Sequence, residues 1–286
     1  MRLALACLAC TAACGFRSPS NPPIDVDAPP IASNDAGPDA PIDAPVVPDA
    51  PIDAAPGSRV RTDLIGLWVF DEPPGVGVRT AVADTSDSAI KVPLAITFGT
   101  VTFADGSMTP DGEAVIASAP KPHLNSDVIG RAGVTLEAWV SSSRADQGTL
   151  AAPAEIAGLS ASVMSRNVSL LQIGTHWVAR MRSTADKNGG PDLISTSTVV
   201  PGQLTHIVVV ADATQRVLYI DGQADRIDPA GTGAPLGWDM AYRMTLGNEF
   251  QRGGPWAGTF ALVAMYRGAL SKLLIDTNFK AGANAP

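Results

Sequence analysis

Residues 59–286 predict an all-β domain of two packed antiparallel sheets, closed by one short C-terminal helix. Three observations carry this reading. Eight short runs rich in β-branched and aromatic residues are separated by Gly, Pro, Asn and Asp clusters, as antiparallel sheets require. Only one stretch has a convincing helical start. All three cysteines, Cys7, Cys10 and Cys14, precede this region, so no disulfide framework supports it and its stability must come from a hydrophobic core.

The strand series opens with GLWVFDE (66–72) and continues through GVTLEAWVSS (133–142), NVSLLQIG (167–174) and HWVARMRS (176–183). HIVVVAD (206–212) and RVLYIDG (216–222) follow, joined only by Ala213-Thr214-Gln215, which is a hairpin connection. RMTLGN (243–248) precedes GTFALVAMY (258–266), whose alternating positions are apolar on both faces, so this strand is expected to be covered on both sides. Ser271 can cap the helix LLIDTNF. Trp68, Trp139 and Trp177 lie within strand patterns and are read as core.

The N-terminal residues have a different character. An uncharged run of mostly Leu and Ala from Leu3 to Ala13 follows Arg2; it is too short to span a bilayer and fits the core of an export signal. Thr11-Ala12-Ala13-Cys14-Gly15 resembles a bacterial lipobox, which predicts a signal peptide over 1–13 and a lipid on Cys14. Each acyl CH₂ buried would contribute ~0.8 kcal/mol to the membrane hold. The protein is accordingly expected to be exported and lipid-anchored to the bacterial cell envelope, at the outer membrane or cell surface.

Residues 14–58 form a spacer built on PIDAP-like repeats, with seven Asp against the single Arg17. Little apolar surface is available to offset ordering entropy, so disorder is expected. Proline favours polyproline II, and at ~3.1 Å per residue the reach is on the order of 130 Å. The rest of the chain, 59–286, carries a net charge near −3, which excludes an extended basic surface for nucleic acid.

Several stretches taken in order carry a family resemblance: GLWVFDE with DTSDS after it, GVTLEAWV, the hairpin GQLTHIVVVADATQRVLYIDGQ, LGNEFQRGGPWAGTFALVAMYRGALS and NFKAG. Together they resemble a bacterial LamG-like domain of the concanavalin A-like lectin/glucanase superfamily, from Leu64 to Gly282. The resemblance implies a jelly-roll sandwich. Thr205-His206 stands where that family usually has a Trp-His pair.

Some members of the superfamily cleave polysaccharides, and a retaining glycosidase needs two carboxylates ~5 to 5.5 Å apart. The family's hydrolases supply them at alternate positions of one strand, and no strand here has that pattern. Asp71 and Glu72 are adjacent, and Glu137 stands alone beside Trp139; it is read as a cap on a neighbouring backbone group, with Trp139 as core. His123, His176 and His206 lack metal-ligand spacing, and GLSAS (158–162) lacks the last glycine of a nucleophile elbow. No catalytic residue is therefore assigned.

Calcium is the one candidate cofactor. Its candidate ligands are Asp84, Ser86 and Asp87 in one loop and Asp186, Asn188 and Asp192 in another, although ordinary turns use the same residue types. For a sugar, an exposed aromatic plate with flanking polar groups is expected from Trp238, Asp239, Tyr242, Asn248, Glu249 and Trp256, all in or beside Gly/Pro-rich loops. The expectation is a monomeric, non-catalytic, envelope-anchored module that binds a glycan. The alternatives are a protein-binding or structural envelope role, and a divergent glycan hydrolase.

Overall fold

The computed structural model describes residues 57–70, 75–76, 80–104, 106–183, 186–229 and 235–285. The expected signal, Cys14, the spacer up to Pro56, and Asp71 and Glu72 lie outside them. Among the described residues no helix is long and apolar enough to cross a membrane.

In chain order the first strands are β1 (Leu64–Val69), β2 (Gly75–Val76), β3 (Ala81–Val82), β4 (Leu94–Phe98), β5 (Val101–Ala104), β6 (Ser107–Pro110) and β7 (Val115–Ser118). A short helix, α1 (His123–Val128), separates them from β8 (Gly133–Ser142), β9 (Ala154–Ser162), β10 (Ser165–Ile173), β11 (His176–Met181) and β12 (Leu193–Thr198). The chain ends with β13 (Leu204–Asp212), β14 (Arg216–Ile220), β15 (Gln223–Asp228), β16 (Arg243–Leu246), β17 (Gly258–Tyr266) and α2 (Lys272–Ala281).

These strands form two antiparallel sheets, as a jelly-roll sandwich requires. The first runs β15-β14-β13-β8-β17-β6-β5-β2, with β1 also paired to β17; the second runs β12-β11-β10-β9-β16-β7-β4-β3. The expected hairpin is present, with Ile207 opposite Ile220 and Ala211 opposite Arg216. The side-chain period of two sorts each strand between layers. On β8, Val134, Leu136, Ala138 and Val140 enter the core between the sheets with Trp68, Trp177 and Trp256. Trp139 points the other way, into a second apolar cluster with Val208, Val210, Tyr219, Leu262 and Tyr266. The centre of the first sheet is therefore buried on both faces, and β17, apolar on both sides, lies between β8 and β1.

What covers the outer face of this sheet is α2 together with the segment entering at Arg59. Ser271 caps the helix, its Oγ accepting from the Leu274 N–H at 3.4 Å, and Ile275, Leu274 and Phe279 pack onto the second cluster. Beneath them Glu137 is fully buried. It does not cap a backbone group, as its isolation in sequence had suggested, but accepts from four side chains. Arg59 Nη1 makes a short ion pair with it. His206 Nε2 lies at 2.8 Å, Asn278 Nδ2 donates at 2.8 Å and the Tyr266 hydroxyl lies at 3.4 Å. Arg59 also donates to the carbonyls of Gly282 at 3.1 Å and Ala285 at 3.2 Å, so one guanidinium ties the start of the domain to its end. His206 stacks on Trp139 with centroids 4.7 Å apart, and Trp139 stacks on Phe279 at 5.6 Å.

Burial alone would push the Glu137 carboxyl up, but the Arg59 guanidinium and His206 overcome it and hold the group down at about 2. A folded-state value below the unfolded one stabilises the fold above the unfolded value, and that stabilisation is lost as pH falls through the folded one. The window therefore runs from the ordinary 4.5 down to about 2. Glu137→Gln should lower stability at neutral pH by about 3–5 kcal/mol, because it leaves Arg59 buried without its counter-charge. Denaturant titrations of the two proteins across that window should show a steeper acid loss in the wild type; parallel pH profiles would contradict this account.

Candidate functional site

The second sheet divides its residues as the first does, but its outer face carries a buried polar cluster. Ile156, Leu159, Leu170, Trp177, Met244 and Leu246 face the core. The alternating positions carry Glu155, Ser169, Arg180 and Thr245, all buried. The Glu155 carboxylate accepts from the hydroxyls of Ser160 and Thr245, each at 2.6 Å, and of Ser169 at 3.2 Å. Burial pushes this carboxyl up, against the attraction of Arg166. Arg166 is itself pulled down by burial, and it also feels Arg180, Glu249 and Asp192, so this face gathers charges of both signs.

A loop from Gly247 to Trp256 closes over part of the face. The Gly247 N–H donates to Ile156 O at 2.9 Å, and Gly254 O accepts from the Glu155 N–H at 2.8 Å. Glu249 Oε2 accepts from the N–H groups of Gly253 at 2.9 Å and Gly254 at 2.7 Å. Position 254 admits only glycine without rearrangement, since an added Cβ would lie 2.3 Å from the Pro153 carbonyl oxygen. Glu155 and Glu249 are thus brought to the same glycine, yet each is only 1% exposed.

At the rim, the loop meets the end of β4 and the turn before β7. Phe98, Glu113, Asn248, Gln251, Arg252 and Pro255 enclose an open depression of about 260 Å³. Phe98 is 43% exposed, and the Arg252 guanidinium lies over its ring at 4.2 Å from the centroid. Arg243 lies in the same way over Phe250, at 4.0 Å. Asn248 is 1% exposed; its Oδ1 is engaged by the Gly254 N–H at 3.1 Å, while its Nδ2 makes no hydrogen bond among the described residues.

The six residues expected to form a sugar plate fall into two clusters instead of one. Trp238, Asp239 and Tyr242 are pinned to β10 and α1: Asp239 exchanges backbone bonds with the Asn167 amide at 2.9 Å each way, and Asn125 Nδ2 donates to Tyr242 O at 2.9 Å. Trp238 Nε1 donates to Arg182 O at 2.8 Å. Trp256 has no exposed surface; its Nε1 donates to Gln172 Oε1 at 3.0 Å and its ring meets Phe260 edge-on. Each indole uses its one polar handle inward, so neither is an exposed plate. Of the six, Asn248 alone lines the depression.

In both candidate calcium sets, side-chain oxygens are engaged by groups of the protein itself. Asp84 accepts from the N–H groups of Leu67 at 3.1 Å, Ser86 at 2.9 Å and Val92 at 2.9 Å, which makes it a loop clamp, and Asp87 lies 3.4 Å from Arg61. In the other loop Asp192 takes Arg180 with both oxygens, at 2.5 and 2.9 Å, and Asn188 accepts from the same guanidinium at 3.0 Å. Asp186 accepts from the Asn188 N–H at 2.9 Å. Arg180 already supplies the positive charge there. Among the described residues no group of three or more His, Cys, Asp or Glu is placed to hold a metal.

No curated protein matches the sequence. Among solved structures, the Trypanosoma rangeli sialidase in complex with the inhibitor DANA superposes with a TM-score of 0.55 at 13% identity, over 76% of this chain and 32% of that one. The binding domain of botulinum neurotoxin DC, in complex with rat synaptotagmin II, superposes with a TM-score of 0.56 at 10% identity, over 77% and 51%. This chain thus spans about a third of the sialidase and half of the neurotoxin chain, and the likeness is one of fold. The family model described as concanavalin A-like lectin/glucanases superfamily matches residues 116–275. With more than half of its length matched and the two-sheet sandwich that accompanies it, the chain belongs to the concanavalin A-like lectin/glucanases superfamily.

Proposed function

We propose that the protein is a non-catalytic, lipid-anchored module of the bacterial cell envelope that binds carbohydrate in the depression between Phe98 and the loop around Gln251. The observation that carries this reading is the convergence there of an exposed aromatic ring with side-chain amides and a carboxylate. A sugar can present its hydroxyls to these polar groups and an apolar edge to the part of the Phe98 ring that Arg252 leaves open. Fold supports the reading without naming the ligand. The buried state of Glu155 and Glu249 is the reason to prefer binding over hydrolysis, because neither carboxylate is open to a polysaccharide at the surface.

A protein partner is the second reading. It is favoured by a separate groove of about 210 Å³, lined by Ile90, Pro93, Pro120 and Pro122, whose apolar character suits a peptide better than a sugar.

A glycan array probed with the full chain should give binders, and Phe98→Ala should weaken them about tenfold, which corresponds to ~1.4 kcal/mol. Retention of full affinity in that variant would remove the site from this depression. Incubation of the bound glycans with concentrated protein should release no reducing ends; release that Glu155→Gln abolished would turn the reading into a hydrolase. Cys14→Ser should shift the protein from the membrane to the soluble fraction, and continued sedimentation with membranes would rule out the lipid anchor.

A further inference from the structure

We infer that the depression at Phe98 selects an acidic sugar, one whose carboxylate is taken by Arg252. This deepens the carbohydrate reading and rests on it. Three observations single out Arg252. Its backbone is held in the left-handed region at φ 66°, where a residue with a Cβ is uncommon, and its N–H donates to Glu249 O at 2.9 Å to fix that conformation. The side chain is laid over the Phe98 ring, which orients the plane of the guanidinium and restricts its rotamers. The guanidinium enters no ion pair among the described residues, unlike the buried Arg59, Arg180 and Arg216, each matched to a carboxylate.

The other walls say which part of the ligand faces where. Glu113 also lines the depression. A carboxylate accepts only, so Glu113 suits sugar hydroxyls. The Nδ2 of Asn248, without a hydrogen bond among the described residues, can donate, and the Gln251 amide can donate or accept. One donor fork, one acceptor and two amides around an aromatic ring match a sugar that bears a carboxylate and neighbouring hydroxyls. A neutral sugar would leave the guanidinium without its strongest available partner, since the fork geometry fits a carboxylate bidentately.

The test uses the full chain with oligogalacturonate, oligoglucuronate and oligomannuronate, each paired with its carboxyl-reduced neutral counterpart, and reads affinity by titration. At least one acidic member should bind tenfold or more tighter than its reduced partner. Arg252→Gly, which suits a φ of 66° and removes the guanidinium, should erase that preference, so that the acidic and reduced members of each pair bind alike. Arg252→Lys should keep part of it. Equal affinities within every pair, or a preference that survives Arg252→Gly intact, would overturn the inference and leave the carbohydrate reading standing. Binding of neither series would overturn both.

Discussion

The ion pair between Arg59 and Glu137 is the constraint around which the rest of the domain is arranged. A carboxylate on a central strand, shut away from water, is tolerable only if its charge is matched and its lone pairs are used. Glu137 meets both conditions with groups drawn from distant parts of the chain: Arg59 from the entry segment, His206 from β13, Tyr266 from β17 and Asn278 from α2. Those groups reach it only when the helix and the entry segment lie on the sheet, so the polar contact selects one placement of elements that apolar packing alone would specify less sharply. The Tyr266 hydroxyl is pushed above its ordinary range by burial and by the Glu137 charge, and so remains a neutral partner of the network.

Covering the centre of the first sheet on both faces sets it apart from the second. The outer face of the second sheet carries a polar cluster of both signs, beside which the loop at residues 247–256 is bonded to β9. The rim, where this loop meets β4, is the place where that polarity reaches solvent beside an exposed ring. Fold and site are linked here through Gly254, whose missing Cβ lets the loop lie against Pro153.

Much of the fold is legible in the sequence because its central strands carry strong local signals. β8 and β17 span the residues their β-branched and aromatic patterns mark, and Ser271 caps α2. The strand β9, AEIAGLSAS, is not legible in this way, since Ala, Gly and Ser have little intrinsic preference for a sheet. It is a strand because β10 and β16 pair with it on either side, and Gly158 is required there, as an added Cβ would lie 2.2 Å from Ser169 Oγ. Glu155 and its partners are hidden from sequence reasoning for the same reason. Trp238 and Trp256 mislead in the opposite direction: their loops are rich in Gly and Pro, but composition does not reveal that Arg182 and Gln172 wait for their indole N–H groups. Phe98 and Arg252 are about 150 positions apart, and only the β4-β7-β16 pairing brings them to one rim.

The knot at Arg59 also has a mechanical consequence. Tension applied from the N-terminal side arrives first at a guanidinium bonded to Glu137 and to the carbonyls of Gly282 and Ala285. Glu137 sits on β8, with β13 on one flank and β17 on the other, so the pull is delivered to the middle of the sheet instead of to an edge that could be peeled one bond at a time. The next link, β1, is laddered antiparallel against β17. The load path therefore runs through the best-supported strands and leaves the rim at Phe98, on the other sheet, outside it.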